Sequence, residues 1–375
     1  MKIPENVVLF ALTGGPCGGK TTALADLRQW FGQLGHVVAT VPEAATAMIE
    51  HGIGPMDGWR SPIQFQAAAI RRQLFLEDEA IVAVNQFASD KPKIVLCDRG
   101  TLDCKAYVTP TVWRRVLALG DWNQAELGAR YQHVVHLVTA ASGAEHFYTL
   151  ENNTARHETV PQAIARDQKT QAAWLGIEHL DIVDNFQSFD EKIARVKQIL
   201  AHALGIPVPV EIERKYRLLS PPDLLRLRPH ERVEIVQNYL VSPDARVERR
   251  VRMWTQQGHT IYFYAEKEPF AGRLGQRIER QRTIGEREYL SLLREADPAV
   301  GTIRKNRYCF LRNGAYWMLD EFLSPRQDLW LLEVELTREA DEVRLPKELL
   351  RPRGNVFDVT GDSIYANVSI ARASA

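Results

Sequence analysis

EIERKYRL, residues 211–218, sets Glu211, Glu213 and Lys215 at every second position. On a β-strand successive side chains point to opposite faces, so these three share one face while Ile212, Arg214 and Tyr216 take the other. Later segments repeat the alternation: Arg250 with Arg252, Lys267, Arg277 with Glu279, Lys305 with Arg307, Asp320, and Glu333 with Glu335. A closed antiparallel barrel built from such strands would carry carboxylates on part of its inner wall and Lys and Arg on the rest. That cavity suits a metal ion beside a polyphosphate. Alternation alone fits equally well a sandwich whose charged face is solvated and whose apolar residues form the core.

The marks that follow fall in a recognisable order: VQNYL (236–240), RRVR (249–252), EKEP (266–269), RIERQR (277–282), IRKNRY (303–308), YWMLDEF (316–322), LLEVEL (331–336) and DVTGDSIYAN (358–367). With the opening ExExK they resemble the CYTH family, the triphosphate tunnel metalloenzymes. The resemblance implies a triphosphate, inorganic or nucleoside, bound inside the barrel. Lys215, Arg250, Arg252, Lys267, Lys305 and Arg307 would neutralise it and fix its register. Glu211, Glu213, Glu333 and Glu335, with Asp320, would hold one or two Mg or Mn ions through oxygen ligands. Asp358, where glutamate is more usual before Val-Thr, and Asn238, in place of glycine before Tyr239-Leu240, depart from the family pattern. They bear on substrate choice rather than on the ExExK carboxylates.

At 375 residues and 45% hydrophobic composition the chain is long enough for two domains with real cores. Its 47 basic and 47 acidic residues cancel, so no global field draws it to nucleic acid or to an anionic membrane. Cys17, Cys97, Cys104 and Cys309 show no zinc-site spacing. The apolar run near the N-terminus is too short to span a bilayer, and the expectation is a soluble, cytoplasmic protein without a transmembrane segment. Oligomeric state is left open.

VVLFALT, residues 7–13, reads as a strand buried on both faces of a parallel sheet. It runs into Gly14, Gly15, Pro16, Cys17, Gly18, Gly19, Lys20 and Thr21, a complete G-x-x-x-x-G-K-[ST], followed by Thr22 and a helical pattern. Backbone N–H groups of such a loop turn inward around phosphate oxygens; Lys20 would reach the β and γ phosphates and Thr21 would face magnesium. A second strand ends at Glu43, where a general base, a water-mediated metal contact and a cap of the next helix are all open. A third, KIVLCDRG (93–100), ends at Asp98, the place of a second acidic magnesium contact, with Arg99 beside it. Arg156, Arg166 and Lys169 give the segment before the fifth strand the pattern of a lid, though each fits equally a pair on a solvated helix.

This half resembles the AAA-type P-loop domain related to nicotinamide riboside kinases and, more distantly, thymidylate kinases. Nucleotide binding, ATP or GTP, follows from that resemblance more firmly than phosphoryl transfer. Fused to a CYTH domain it also resembles the TRPL translocation defect protein family, for which GTP and phosphatidic acid binding are expected. IPVPV, residues 206–210, interrupts any helix or central strand. The expected architecture is an α/β P-loop domain with a parallel sheet over 1–205 and an α+β antiparallel β-barrel, the triphosphate tunnel, over 206–375. The leading expectation is a metal-dependent phosphohydrolase. A P-loop small-molecule kinase with a regulatory tunnel and a nucleotide-gated binding protein without turnover are the alternatives.

Overall fold

β1 (Val7–Gly14) is buried along its whole length, as an apolar run in the middle of a parallel sheet must be. The computed structural model describes residues 2–54, 61–148, 159–185, 188–206, 213–244, 246–269, 277–336, 342–352 and 354–372. The chain divides into two units, Met1–Leu200 and Ala201–Ala375. In the first, β1 is followed by α1 (Lys20–Gln33), β2 (Val38–Val41), α2 (Ala44–Glu50), α3 (Pro62–Asn85), β3 (Lys93–Asp98), α4 (Pro110–Gly120), α5 (Gln124–Ala129), β4 (His133–Leu137), α6 (Val160–Ala173), β5 (Leu180–Val183) and α7 (Phe189–Ala203).

The five strands are all parallel, in the order β2-β3-β1-β4-β5. Parallel neighbours need crossovers, and the intervening helices supply them. α1 packs through Ala23, Leu24, Leu27 and Phe31. α3 starts sharply because Ser61 and Gln64 exchange capping hydrogen bonds and Pro62 takes the first turn. The order sets β3 beside β1 with Leu12 opposite Asp98, so the acidic end of β3 adjoins the glycine loop. Ligands of open α/β sheets sit beyond the carboxyl ends of the strands, which is where both lie.

The second unit is one nine-stranded antiparallel sheet with short helices. Its strands are β6 (Glu213–Leu218), β7 (His230–Leu240), β8 (Glu248–Gln256), β9 (His259–Pro269), β10 (Arg277–Ile284), β11 (Ile303–Arg312), β12 (Ala315–Ser324), β13 (Trp330–Glu335) and β14 (Val356–Asp358). They are ordered β10-β9-β8-β7-β11-β12-β13-β6-β14. α8 (Glu286–Leu292) follows β10, and α9 (Asn367–Arg372) follows β14.

The two faces of this sheet differ in chemistry. Tyr216, Leu218, Tyr308, Phe310, Trp317, Leu319, Leu332 and Val334 form an apolar core roofed by Leu227 and Leu349, with Leu224, Val343 and Leu345 against it. Farther along, Val251 and Ile284 pack with Tyr289 of α8. The apolar face is thus packed within the unit along both of these stretches. The opposite face carries the charges. At one end it is covered too, because Tyr239, Ile303, Phe322 and Leu331 pack with Ile370 and Ala371 of α9.

Among the described residues no helix is long and apolar enough to cross a membrane.

Candidate functional site

Two sites emerge, one in each unit. In the first, Gly14 ends β1 and Gly19 caps α1 in a left-handed conformation, φ 86°. A side chain at Gly19 is excluded twice, by that φ and because a Cβ would stand 2.5 Å from the Phe189 ring. At Gly15 a Cβ would stand 2.5 Å from Asp167 Oδ1. These glycines therefore keep side chains away from protein walls as well as from a phosphate. Gly18 is buried in the same turn, and Thr21 and Thr22 are exposed at the start of α1.

Lys20 is buried, with Nζ donating to Gly14 O at 3.3 Å and Gly15 O at 3.2 Å. Burial, then the nearby Arg99, pull its pKa down to about 8, against weaker support from Asp98 and Glu43. Asp98 is held above the ordinary carboxylate range, first by burial and then by Glu43, despite Lys20. Its Oδ1 is buried and has no hydrogen-bond partner in the structure. A buried, unsatisfied carboxylate oxygen beside a lysine and a glycine loop is what a hard cation would satisfy.

Glu43 makes no capping hydrogen bond to α2. Its Oε1 instead accepts from Arg99 Nε at 2.6 Å. Burial alone would raise Glu43, but Arg99 and Lys20 hold it below its usual range. Arg99 itself sits at φ 68° and also donates to Gly14 O at 3.0 Å and towards Asp103 Oδ1 at 3.4 Å. Asp103, which the sequence did not single out, accepts from Gly100 N at 2.8 Å and from the Thr13 hydroxyl. The glycine loop, β2 and β3 are thereby tied through one arginine and one aspartate.

Arg166, one of the residues with the pattern of a lid, lies on α6. Its Nη1 donates to Ala106 O at 2.9 Å and its guanidinium lies 4.3 Å from the Tyr107 ring centroid, so it anchors α6 to the segment after β3. Lys169 is exposed, and Arg156 lies outside the described residues. The consequential residue of α6 is its neighbour Asp167. Asp167 Oδ1 accepts from Gly15 N at 2.8 Å, Thr139 N at 3.1 Å and His136 Nε2 at 3.0 Å, and Oδ2 from Gln171 Nε2 at 2.9 Å. Burial opposes the charge, yet these donors, His136 foremost, keep Asp167 below its ordinary pKa. No motif announces it, since its partners lie 152 and 28 residues away in sequence.

In the second unit the register decides which charges share a face. Glu213 stands opposite Glu335, and Lys215 opposite Glu333. Met318 continues the row from Glu333, Asp320 pairs with Leu331 and with Arg307, and Lys305 stands opposite Phe322. Across β7 the same face carries Gln237 and Tyr239, opposite Arg252 and Arg250, and on β9 Lys267 opposite Glu248. Lys215, Arg250, Arg252, Lys305, Arg307, Asp320 and Glu333 are all buried. Lys267 and Glu213 are half-buried, and Glu335 is exposed.

These groups form a chain of alternating sign. Lys215 Nζ lies 3.2 Å from Glu213 and 3.1 Å from Glu333. Arg307 reaches Glu333 at 2.9 Å and grips Asp320, which also accepts from Lys305 at 2.5 Å. Burial disfavours the Lys215 charge, but Glu333 and Glu213 outweigh it and hold the ammonium above its ordinary range. Glu333 is held well below its range by Lys215, Arg307 and Lys305 against the cost of burial. Lys305 is lowered, because its burial outweighs Asp320. Arg252 donates to Gln281 on β10, and Arg250 stands 3.8 Å from Glu248.

Asp320 is the residue expected to assist the metal ligands. It has no exposed surface and both oxygens are occupied by Lys305 and Arg307, so it positions those cations. Among the described residues no three His, Cys, Asp or Glu side chains gather as a metal cage. Glu211 lies outside them. Glu213 and Glu335, adjacent across β6 and β13, supply oxygen donors of the kind Mg and Mn accept.

Residues 9–192 match the AAA domain family, and the first unit carries an AAA-type P-loop domain. Among solved structures the chain is similar to the hypothetical protein NE1496, at 29% identity over 44% of this chain and 99% of that one, with a TM-score of 0.30. It is also similar to the inorganic triphosphatase NE1496, at 26% identity over 43% and 94%, TM-score 0.31. A third is HpAC1 from Hippeastrum, described with a dominant triphosphatase activity, at 18% identity over 34% and 80%, TM-score 0.27. No curated protein matches the chain.

Proposed function

We propose that the chain is a two-domain metal-dependent phosphohydrolase, cleaving a triphosphate on the charged face of the second unit and binding ATP or GTP at the glycine loop of the first. The observation that carries this reading is the register. It sets Lys215, Lys305, Arg307, Arg250 and Arg252 on one buried face of a nine-stranded sheet, with Glu213 and Glu333 among them.

The position of that belt supports a tunnel. Arg307 stands opposite Val233 on β7, whereas Arg252 stands opposite Gln237, four residues on. Closing a sheet into a barrel requires tilted strands and a staggered register, so a belt at one height runs diagonally across the pairing. The cations follow such a diagonal. A polyanion along it meets a series of fixed donors, with Arg307 already oriented by Asp320 and Lys215 by Glu333. Glu213, Glu333 and Glu335 would hold Mg or Mn there, which when bound polarises the terminal phosphoryl group.

Phosphate release from tripolyphosphate and nucleoside triphosphates, measured with Mg and with Mn, tests the reading. Glu213→Ala should reduce release at least a hundredfold while Lys20→Ala leaves most of it. Full release in Glu213→Ala together with its loss in Lys20→Ala would place the hydrolysis in the other unit.

A second reading draws on Asp98 Oδ1, unsatisfied beside Lys20, and on Glu43 held ionised by Arg99. That constellation suits phosphoryl transfer to a small hydroxyl acceptor, with the tunnel regulatory. Lys20-dependent transfer of a labelled γ-phosphate to a nucleoside-like acceptor would favour it. Tight nucleotide and phosphate-ligand binding with no turnover under any metal would favour the binding protein instead.

A further inference from the structure

Phe189 is the first residue of α7 and is 42% exposed. It does not serve its own helix. Ser188 and Glu191 exchange the capping hydrogen bonds, Glu191 N to Ser188 Oγ at 3.3 Å and Ser188 N to Glu191 Oε2 at 3.0 Å, which makes Ser188 the cap. A hydrophobic staple uses the residue before the cap, and Phe189 stands after it. Its ring lies instead against Gly19, whose added Cβ would meet ring atoms at 2.5 and 3.0 Å.

The ground beneath it is rigid. Asn185 Nδ2 donates to Thr139 O and Ser142 O, both at 2.8 Å, and Lys192 Nζ joins Val138 O at 2.8 Å to Asn185 Oδ1 at 2.6 Å. The segments after β4 and β5 are thus clamped together beside the glycine loop, with one aromatic ring left open to solvent.

Strand order gives this ring a use. Lys20, Asp98 and Glu43 lie at the loop and on the β3 and β2 side of β1. The β and γ phosphates belong with that lysine and those carboxylates. The α phosphate and nucleoside must then extend the opposite way, across β1 towards β4 and β5, where Phe189 adjoins Gly19. We infer that Phe189 is the stacking platform for the base of a purine nucleoside triphosphate held by the glycine loop. Stacking on an exposed ring accepts any base but favours the larger purine face, and it gives nothing to a base-free polyphosphate. The inference rests on the glycine loop being a nucleotide site.

The test uses the full-length chain, magnesium, and mant-labelled ATP and GTP followed by fluorescence, with unlabelled tripolyphosphate as competitor. The signal read is the Lys20-dependent part of the mant fluorescence, the difference from Lys20→Ala, so labelled nucleotide or tripolyphosphate on the charged face of the second unit does not enter it. Phe189→Ala should weaken both nucleotides about tenfold, Phe189→Trp should stay near wild type, and the tripolyphosphate competition constant should be unchanged in both. Equal weakening of nucleotide and tripolyphosphate in Phe189→Ala would make the ring a support for the loop and overturn the platform. Unchanged nucleotide affinity would overturn it as well. Wild-type binding that survives Lys20→Ala would remove the glycine-loop reading itself, a result distinct from either.

Discussion

Arg307 grips Asp320 in a fork, Nε to Oδ1 and Nη2 to Oδ2, each at 2.7 Å. Lys305 completes the enclosure, so one carboxylate with no exposed surface orients two of the buried cations of the charged face. Removing one partner of a buried ion pair leaves uncompensated charge and costs about 3–5 kcal/mol, while an exposed pair is worth about 1 kcal/mol or less. Asp320→Ala should therefore lower the stability of the second unit by about 3 kcal/mol or more. Glu213→Ala, at a half-buried position, should change it by no more than about 1 kcal/mol. Urea denaturation of the two variants separates anchor from ligand: an Asp320→Ala midpoint equal to wild type would refute the anchor.

Lys20 gives a pH dependence of definite sign. Its pKa falls from 10.5 to about 8 in the folded chain. Below pH 8 the ammonium is charged in both folded and unfolded chains, so the cost of burying it is fully present; between about 8 and 10.5 the folded chain loses its proton first, and stability rises. Nucleotide binding should run the opposite way, because the phosphates need the charged form. Affinity for a magnesium nucleotide should weaken from about pH 7 to about pH 9 with an inflection near 8, and Lys20→Met should bind weakly without it. A flat wild-type profile would contradict the assignment.

Much of this arrangement is legible from residue order. Period-two alternation separates Lys215, Glu213 and Glu333 from Tyr216, Leu332 and Val334, and pairing preserves the separation because directly opposed residues share a face. The glycine loop is legible because a strand, a turn and a helix must follow one another there. The partners of Asp320 are not, since alternation gives its face but not the closing of Arg307 and Lys305 on its two oxygens. Asp167 was hidden for a different reason. Its spacing on α6 is that of an ordinary helix position, and only the packing of α6 on the β1 and β4 ends brings it to Gly15 and Thr139.

Asp167, buried at 3% exposure, holds two loops together. It is the common acceptor for the first N–H after β1 and for the N–H of Thr139, so its removal orphans buried donors on two loops. Asp167→Ala should destabilise the first unit by about 2 kcal/mol and weaken nucleotide binding with it. The sign with pH follows from the depressed pKa: the stabilisation is complete above the unfolded value near 3.8 and is lost as pH falls through the lower folded value. Urea midpoints of wild type and Asp167→Asn should differ near neutrality and converge below about pH 4.

Helix α9 supplies the last prediction, because it covers one end of the charged face rather than the apolar one. Ile370 and Ala371 sit on Tyr239, Ile303, Phe322 and Leu331. Those four lie in register with Arg250, Gln237, Lys305 and Asp320. Lys305 Nζ lies 5.2 Å from the Phe322 ring centroid, so the apolar lid reaches the cationic belt directly. Ile370→Ala removes buried volume and should cost about 2–5 kcal/mol. If α9 also sets how deep a polyanion penetrates, the variant should raise KM for tripolyphosphate relative to Ala371→Gly at matched stability. Equal KM in the two variants would leave α9 a purely structural cover, because loss of packing alone moves the amount of folded protein and not the affinity of the folded fraction.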